Sequence, residues 1–259
     1  MEYILYILTG AIVGFISGIL GVGGGMLIVP ILAFIFNYYN ISPTYAMHIA
    51  IGTSLSIMIF TAIAATVERY RKKDIDFFYI KKMVLFIISG TVLGSCLANI
   101  FSSYSLQIVF GIFLALVSIK MIIGFKIIDK KKKKPNTYTM ATIGFLIGAK
   151  SGLLGIGGGA LSIPFFKYCG LSMKKASGIS SVFTLAIAVV GSLLFFILGK
   201  ISNPQINLGY IYWPAFLFIA PLSIIFAPLG VKTGHMVKGD ILRKLFGILL
   251  IGISLKMLF

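Results

Sequence analysis

Apolar stretches of about 20 residues or more follow one another along this chain with little between them, at 3–37, 43–67, 77–101, 105–128, 138–169, 176–199, 209–235 and 240–259. Each is long enough to cross a hydrocarbon core about 30 Å thick. A soluble fold cannot hide so much of it: 59% of the residues are hydrophobic and 11% charged, where an ordinary soluble domain carries about a quarter charged. The expected class is therefore an all-α, multi-pass membrane protein, and its length sets a number of spans, not a number of globular domains.

The formal charge of +17 does not point to a nucleic-acid partner, because the basic residues sit in short loops between apolar runs, where they mark a cytoplasmic face. Cys96 and Cys169 lie in or beside apolar segments without metal-ligand spacing or a paired framework, and read as packing residues. Met1-Glu2-Tyr3-Ile4 has no basic n-region, and no small-residue cleavage site follows the first apolar run, so a retained membrane segment is expected.

The chain repeats itself. Gly14 to Pro30 read G-FIS-G-IL-G-V-GGG-MLIV-P, and Gly148 to Pro164 read G-AKS-G-LL-G-I-GGG-ALSI-P, with every glycine and the proline in register at an offset of 134. Near the end of each half, Phe110-Gly111-Ile112 and Ser118-Ile119-Lys120-Met121 answer Phe246-Gly247-Ile248 and Ser254-Leu255-Lys256-Met257 at an offset of 136. The organisation expected is a membrane repeat over 1–128, a basic cytoplasmic linker over 129–137 containing Lys130 to Lys134, and a second repeat over 138–259. Duplication of this kind is the usual construction of secondary transporters.

If each long segment crossed once, Lys167, Lys174 and Lys175 and then Lys232, Lys238, Arg243 and Lys244 would lie outside, against the positive-inside rule. If the first and fifth segments instead enter and return to the side they came from, broken at their glycines, the strongly basic loops share one face. Only Lys200 and Lys256 then fall on the other. Each half would make an odd number of crossings, the second half would be inverted relative to the first, and both termini would lie outside.

Glycine costs a helix about 1 kcal/mol relative to alanine, so Gly23-Gly24-Gly25 and Gly157-Gly158-Gly159 are expected to break theirs. Irregular backbone at membrane depth survives only where protein or a water-filled cavity satisfies it. Half-helices restarting there would aim free N–H groups and a positive dipole end at a common midplane site, an arrangement that suits an anion. Gly10, Gly14 and Gly18, with Gly144, Gly148 and Gly152, read as helix-packing positions. Lys150 stands inside the fifth segment, where a lysine costs at least about 2.5–3.5 kcal/mol and is a functional candidate; the alternative is that it snorkels to the interface. No acidic residue (Glu2, Glu68, Asp74, Asp76, Asp129, Asp240) falls mid-span, which disfavours a cation carrier. Hydroxyls at Thr53, Ser54 and Ser56 and at Ser177, Ser180 and Ser181 could donate to anion oxygens, or bond to backbone and glue helices. His48 and His235 read as interfacial, and Trp213, Tyr210 and Tyr212 as an aromatic belt. No catalytic constellation, metal cluster or cofactor motif is present, and no enzyme activity or nucleic-acid binding is expected.

The doubled G-x3-G-x2-G-x-GGG-x4-P pattern, together with His48-Ile49-Ala50-Ile51-Gly52-Thr53-Ser54-Leu55, resembles the TauE/SafE family, the sulfite exporters, over essentially the whole chain. The resemblance implies export of a small anion, sulfite or an organosulfonate, across the bacterial cytoplasmic (inner) membrane. It places the family's glycine motifs on Gly21, Gly23, Gly24, Gly25 and Pro30, and on Gly155, Gly157, Gly158, Gly159 and Pro164. Gly21, Pro30, Gly155 and Pro164 would act as structural helix breaks. The Gly-Thr-Ser element falls on Gly52, Thr53 and Ser54, and its counterpart Ile179-Ser180-Ser181 lacks the glycine and has serine for threonine. Lys150 has no assigned place in that pattern. The expected partners are a small anionic substrate and the lipid bilayer; association into a homo-oligomer is left open. An anion channel and a non-transporting membrane scaffold or assembly subunit are the alternatives to an alternating-access carrier.

Overall fold

The computed structural model describes residues 2–20, 24–123, 135–202, 209–234 and 239–259. Within them the regular elements are all helical: α1 (Glu2–Leu20), α2 (Gly25–Tyr38), α3 (Ala46–Arg71), α4 (Phe77–Ile100), α5 (Ser103–Ile123), α6 (Thr137–Leu154), α7 (Gly159–Tyr168), α8 (Met173–Ser202), α9 (Trp213–Gly234) and α10 (Gly239–Leu258), with a 3₁₀ turn at Pro43–Tyr45 leading into α3. Five spans among the described residues, Pro43–Arg71, Phe77–Ile100, Ser103–Ile123, Met173–Ser202 and Trp213–Gly230, are long and apolar enough to cross a membrane. The protein is an all-α membrane protein.

Local chemistry sets several helix starts. Asp76 accepts from the Phe78 N–H at 3.1 Å to cap α4, and Asn136 accepts from the Thr139 N–H at 2.7 Å to cap α6. Asn136 lies at the end of the expected 129–137 linker, most of which lies outside the described residues.

Small residues govern packing, as they do where lipid removes the hydrophobic drive between helices. Gly10, Gly14 and Gly18 of α1 face Ile219, Ser223 and Ala227 of α9 so closely that a β-carbon on any of them would strike backbone. Gly148 and Gly152 of α6 meet Ile87 and Thr91 of α4 in the same way, and a β-carbon on Gly144 would stand 3.2 Å from the Met83 carbonyl oxygen. Residue numbers climb together in both pairs, so α1 is parallel to α9 and α4 to α6. Two other pairs are antiparallel. Ser56 and Ser192 join α3 to α8 through hydroxyls 2.7 Å apart, while farther along Gly178 meets the Asp74 carbonyl. In α5 and α10, Gln107 donates to the Met257 carbonyl at 2.9 Å and Ser254 donates to that of Gly111 at 2.8 Å.

These contacts define two ends of the bundle. At one, the start of α3 meets the end of α4, where His48 Nε2 lies 3.0 Å from the Ala98 carbonyl oxygen and 3.1 Å from that of Phe101. Both partners are acceptors, so Nε2 carries the proton. Tyr6 near the start of α1 and Phe36 near the end of α2 both pack on Tyr212, which places them at this end as well. At the other end Tyr79 near the start of α4 packs on Phe166 near the end of α7. Arg69, Arg71, Lys72, Lys73, Lys81, Lys82, Lys167, Lys174 and Lys175 lie there.

Three expectations need correction. The apolar run at 209–235 is not helical from its start: α9 begins at Trp213, and Gly209 is left-handed at φ 62°. Tyr210 does not join an interfacial belt but is buried at 1% exposure, its N–H donating to the Phe195 carbonyl at 3.2 Å. His48, expected at the interface, is 3% exposed and packs on Tyr45 and Tyr210. His235 lies outside the described residues.

Candidate functional site

The first and fifth apolar segments are each divided at their glycines. α6 stops at Leu154, and Gly155 closes it in a left-handed conformation at φ 66°, its N–H donating to the Ser151 carbonyl at 2.9 Å. The chain resumes as α7 at Gly159. Gly24, at φ 74°, precedes α2. Glycine populates such backbone without steric cost. Gly21 and Gly23 lie outside the described residues. Pro30 and Pro164, expected as breaks, instead lie inside α2 and α7, five residues after each helix begins. Their fixed φ is compatible with the helix, and their missing N–H removes one backbone bond without ending it.

The two breaks come together. A β-carbon on Gly25 would stand 2.5 Å from the Gly155 carbonyl oxygen, 2.9 Å from Met58 Sδ and 3.0 Å from Ile156 Cα. The start of α2 therefore abuts the end of α6. α3 clasps both, with Ile51 against Gly155, Met58 against Gly25, and the Ser54 hydroxyl donating to the Gly155 carbonyl at 3.0 Å.

Among the described residues, each half-helix begins with backbone donors that have no acceptor. In α2 the earliest bonds run from Leu27 and Ile28 N–H to Gly24 O, and in α7 from Leu161 and Ser162 N–H to Gly158 O. The N–H groups of Gly25, Met26, Gly159 and Ala160 lie ahead of these, where a helix offers no acceptor and its dipole is positive. That arrangement can receive an anion.

The side chains divide into committed and uncommitted groups. Thr53 Oγ1 accepts from the Tyr212 N–H at 2.8 Å, and Gly52 lets the Tyr210 carbonyl approach, so much of the Gly-Thr-Ser element serves to dock residues 209–212 on α3. Ser181 donates to the Gly178 carbonyl at 2.8 Å. The Ser180 hydroxyl is buried without a hydrogen-bond partner among the described residues. Ser151 and Ser162, which sequence reasoning missed as candidates, share that state. A signal was present for both: Ser151 sits inside the repeated glycine motif, and Ser162 replaces Ile28 of the first copy. Lys150 does not snorkel. Its Nζ is buried without a hydrogen bond among the described residues, 4.7 Å above the Phe113 ring of α5, a contact of cation–π type. Among the described residues no group of His, Cys, Asp or Glu could hold a metal ion.

Comparison with known proteins adds sequence relationships over the whole length. Residues 6–257 match the family model described as Sulfite exporter TauE/SafE. A protein of Haemophilus influenzae named probable membrane transporter protein is 28% identical over 257 residues, covering 98% of this chain and 97% of its own. Proteins bearing the same description from Bacillus subtilis and Methanocaldococcus jannaschii are each 30% identical, the first covering 78% of this chain and 81% of its own, the second 92% and 89%. No solved structure matches the chain.

Proposed function

The chain belongs to the sulfite exporter TauE/SafE family, and from that premise we propose that it exports a small anion, sulfite or an organosulfonate, across the bacterial cytoplasmic membrane by alternating access. It is a multi-pass membrane transporter and not an enzyme. The observation that carries the anion reading is the restart of α7 at the second glycine break, with first-turn N–H groups that have no acceptor among the described residues and with the first break packed on it through Gly25 against Gly155 and Ile156. Gly24, Gly25, Gly157, Gly158 and Gly159 shape that site, Thr53, Ser54 and Ser181 hold the backbone around it, and Ser180 and Lys150 offer donors that protein leaves unused. The absence of a mid-span carboxylate in the sequence fits an anionic cargo.

The inverted-repeat reading draws support from helix directions. Under the sequence offset α3 answers α8 and α5 answers α10, and both pairs pack antiparallel. α1 and α9 exchange with α6 and α4, and each of those pairs packs parallel. Such a relation suits rocking of one half against the other around a midplane site. The close fit of Gly25 on Gly155 favours a carrier over a channel. Counterflow in liposomes tests the reading: sulfite trapped inside should accelerate uptake of labelled sulfite, and flux without acceleration or saturation would refute a carrier.

A further inference from the structure

Three fully buried hydroxyls without hydrogen-bond partners among the described residues, those of Ser151, Ser162 and Ser180, lie on three different helices of the second half. Their positions are related through Gly158. A β-carbon on Gly158 would touch Ile187 at 3.2 Å and Ile147 and Phe183 at 3.5 Å. Ser151 is one helical turn from Ile147 on α6, and Ser180 is one turn from Phe183 and two from Ile187 on α8. Residues at such spacings share a helix face. Ser162 is one turn beyond Gly158 in α7, and helical side chains lean toward the N-terminus. All three hydroxyls thus belong to faces that converge on the start of α7, a ten-residue helix whose first N–H groups are also unused.

Among the described residues the first break lacks the full set. Ser17, the counterpart of Ser151, stands beside Gly24 but is only part-buried; Ile28 stands where α7 has Ser162, and Thr53, the counterpart of Ser180, already accepts from Tyr212. The start of α2 is also crowded by the carbonyl oxygen of Gly155, which would repel an anion. Leaving three hydroxyls unbonded in the interior carries a desolvation cost that a bound acceptor would remove.

We infer that the protein holds one oxyanion at the second break, bound by Ser151, Ser162 and Ser180 with the first-turn N–H groups of α7, and that the first break is a structural partner without a ligand. This rests on the anion reading above and narrows it: the ligand is a tetrahedral or pyramidal oxyanion with several acceptor oxygens. Binding of sulfite, sulfate and methanesulfonate to purified protein, measured by calorimetry, tests it. Ser162→Ala and Ser180→Ala should each weaken binding roughly 10-fold or more, the effect of losing a hydrogen bond to a charged group. Ser180→Thr, which keeps the hydroxyl, should bind as the unmodified protein does. Ser118→Ala, which removes a buried hydroxyl bonded to the Ala115 carbonyl on α5, should leave affinity unchanged. Unaltered affinity in both Ser162→Ala and Ser180→Ala, with intact melting, would overturn the inference. Failure of the unmodified protein to bind any of the three anions would overturn the anion reading itself.

Discussion

The Ser54 hydroxyl donates to the carbonyl oxygen of Gly155 across 3.0 Å and 101 residues of sequence. The bond gives a donor to a carbonyl at the end of α6, where helix geometry leaves the last carbonyls unsatisfied, and it fixes the height at which α3 passes the second break. Ser54→Ala should therefore cost about 1–3 kcal/mol by stranding a buried acceptor. Thermal melting of the purified variant measures this, and Ser54→Thr should recover part of the loss.

Contact between the breaks makes Gly25 intolerant of any side chain. Gly25→Leu should abolish sulfite flux in liposomes while the protein remains in the membrane fraction. Gly252→Ala, where an added β-carbon meets nothing within 4 Å, should leave both flux and melting temperature unchanged.

Gly155 carries a second restriction, since its φ of 66° suits only glycine without strain and a β-carbon would meet Ile51 at 2.9 Å. Gly155→Ala should destabilise by more than the roughly 1–2 kcal/mol of left-handed strain alone. Melting measurements read the difference against Gly252→Ala.

Lys150 offers a test of charge. Its Nζ is buried over the Phe113 ring with no anion beside it among the described residues. Lys150→Met keeps most of the length and the apolar stem, so melting should not fall, while sulfite affinity should drop by about 1.5–3 kcal/mol, roughly 10- to 100-fold. Lys175→Met, at the basic end of the bundle, should bind as before. Equal affinity in the two variants would confine Lys150 to packing.

Topology is open to direct measurement. Reporters fused before Met1 and after Phe259 should both lie outside the cytoplasm, and cysteines placed at Lys72 and Lys174 should be labelled only from the inside. A cytoplasmic location of both termini would refute the inverted arrangement.

The helix breaks were legible because three adjacent glycines are a local signal, and local backbone preference decides where a helix stops. The prolines misled for a related reason: Pro30 and Pro164 look like punctuation, yet each helix runs on through its proline at the loss of one backbone bond. Residues 209–212 could not be separated from α9 by composition. Their non-helical course depends on Gly52, Thr53 and Gly199, which are distant in sequence. The fate of each hydroxyl was equally hidden, because it turns on register between helices: Ser54 and Thr53 are neighbours, but one reaches α6 and the other the approach to α9.

The pairing of α1 with α9 and of α4 with α6 bears on biogenesis. α1 finds its close neighbour only when α9 has been made, so its groove at Gly10, Gly14 and Gly18 faces lipid or the insertion machinery while the seven helices between them are synthesised. A fragment ending before α9 would leave that groove without its mate. Translation must therefore reach α9 before the bundle can close, and α1 has to persist in the bilayer without its mate until then.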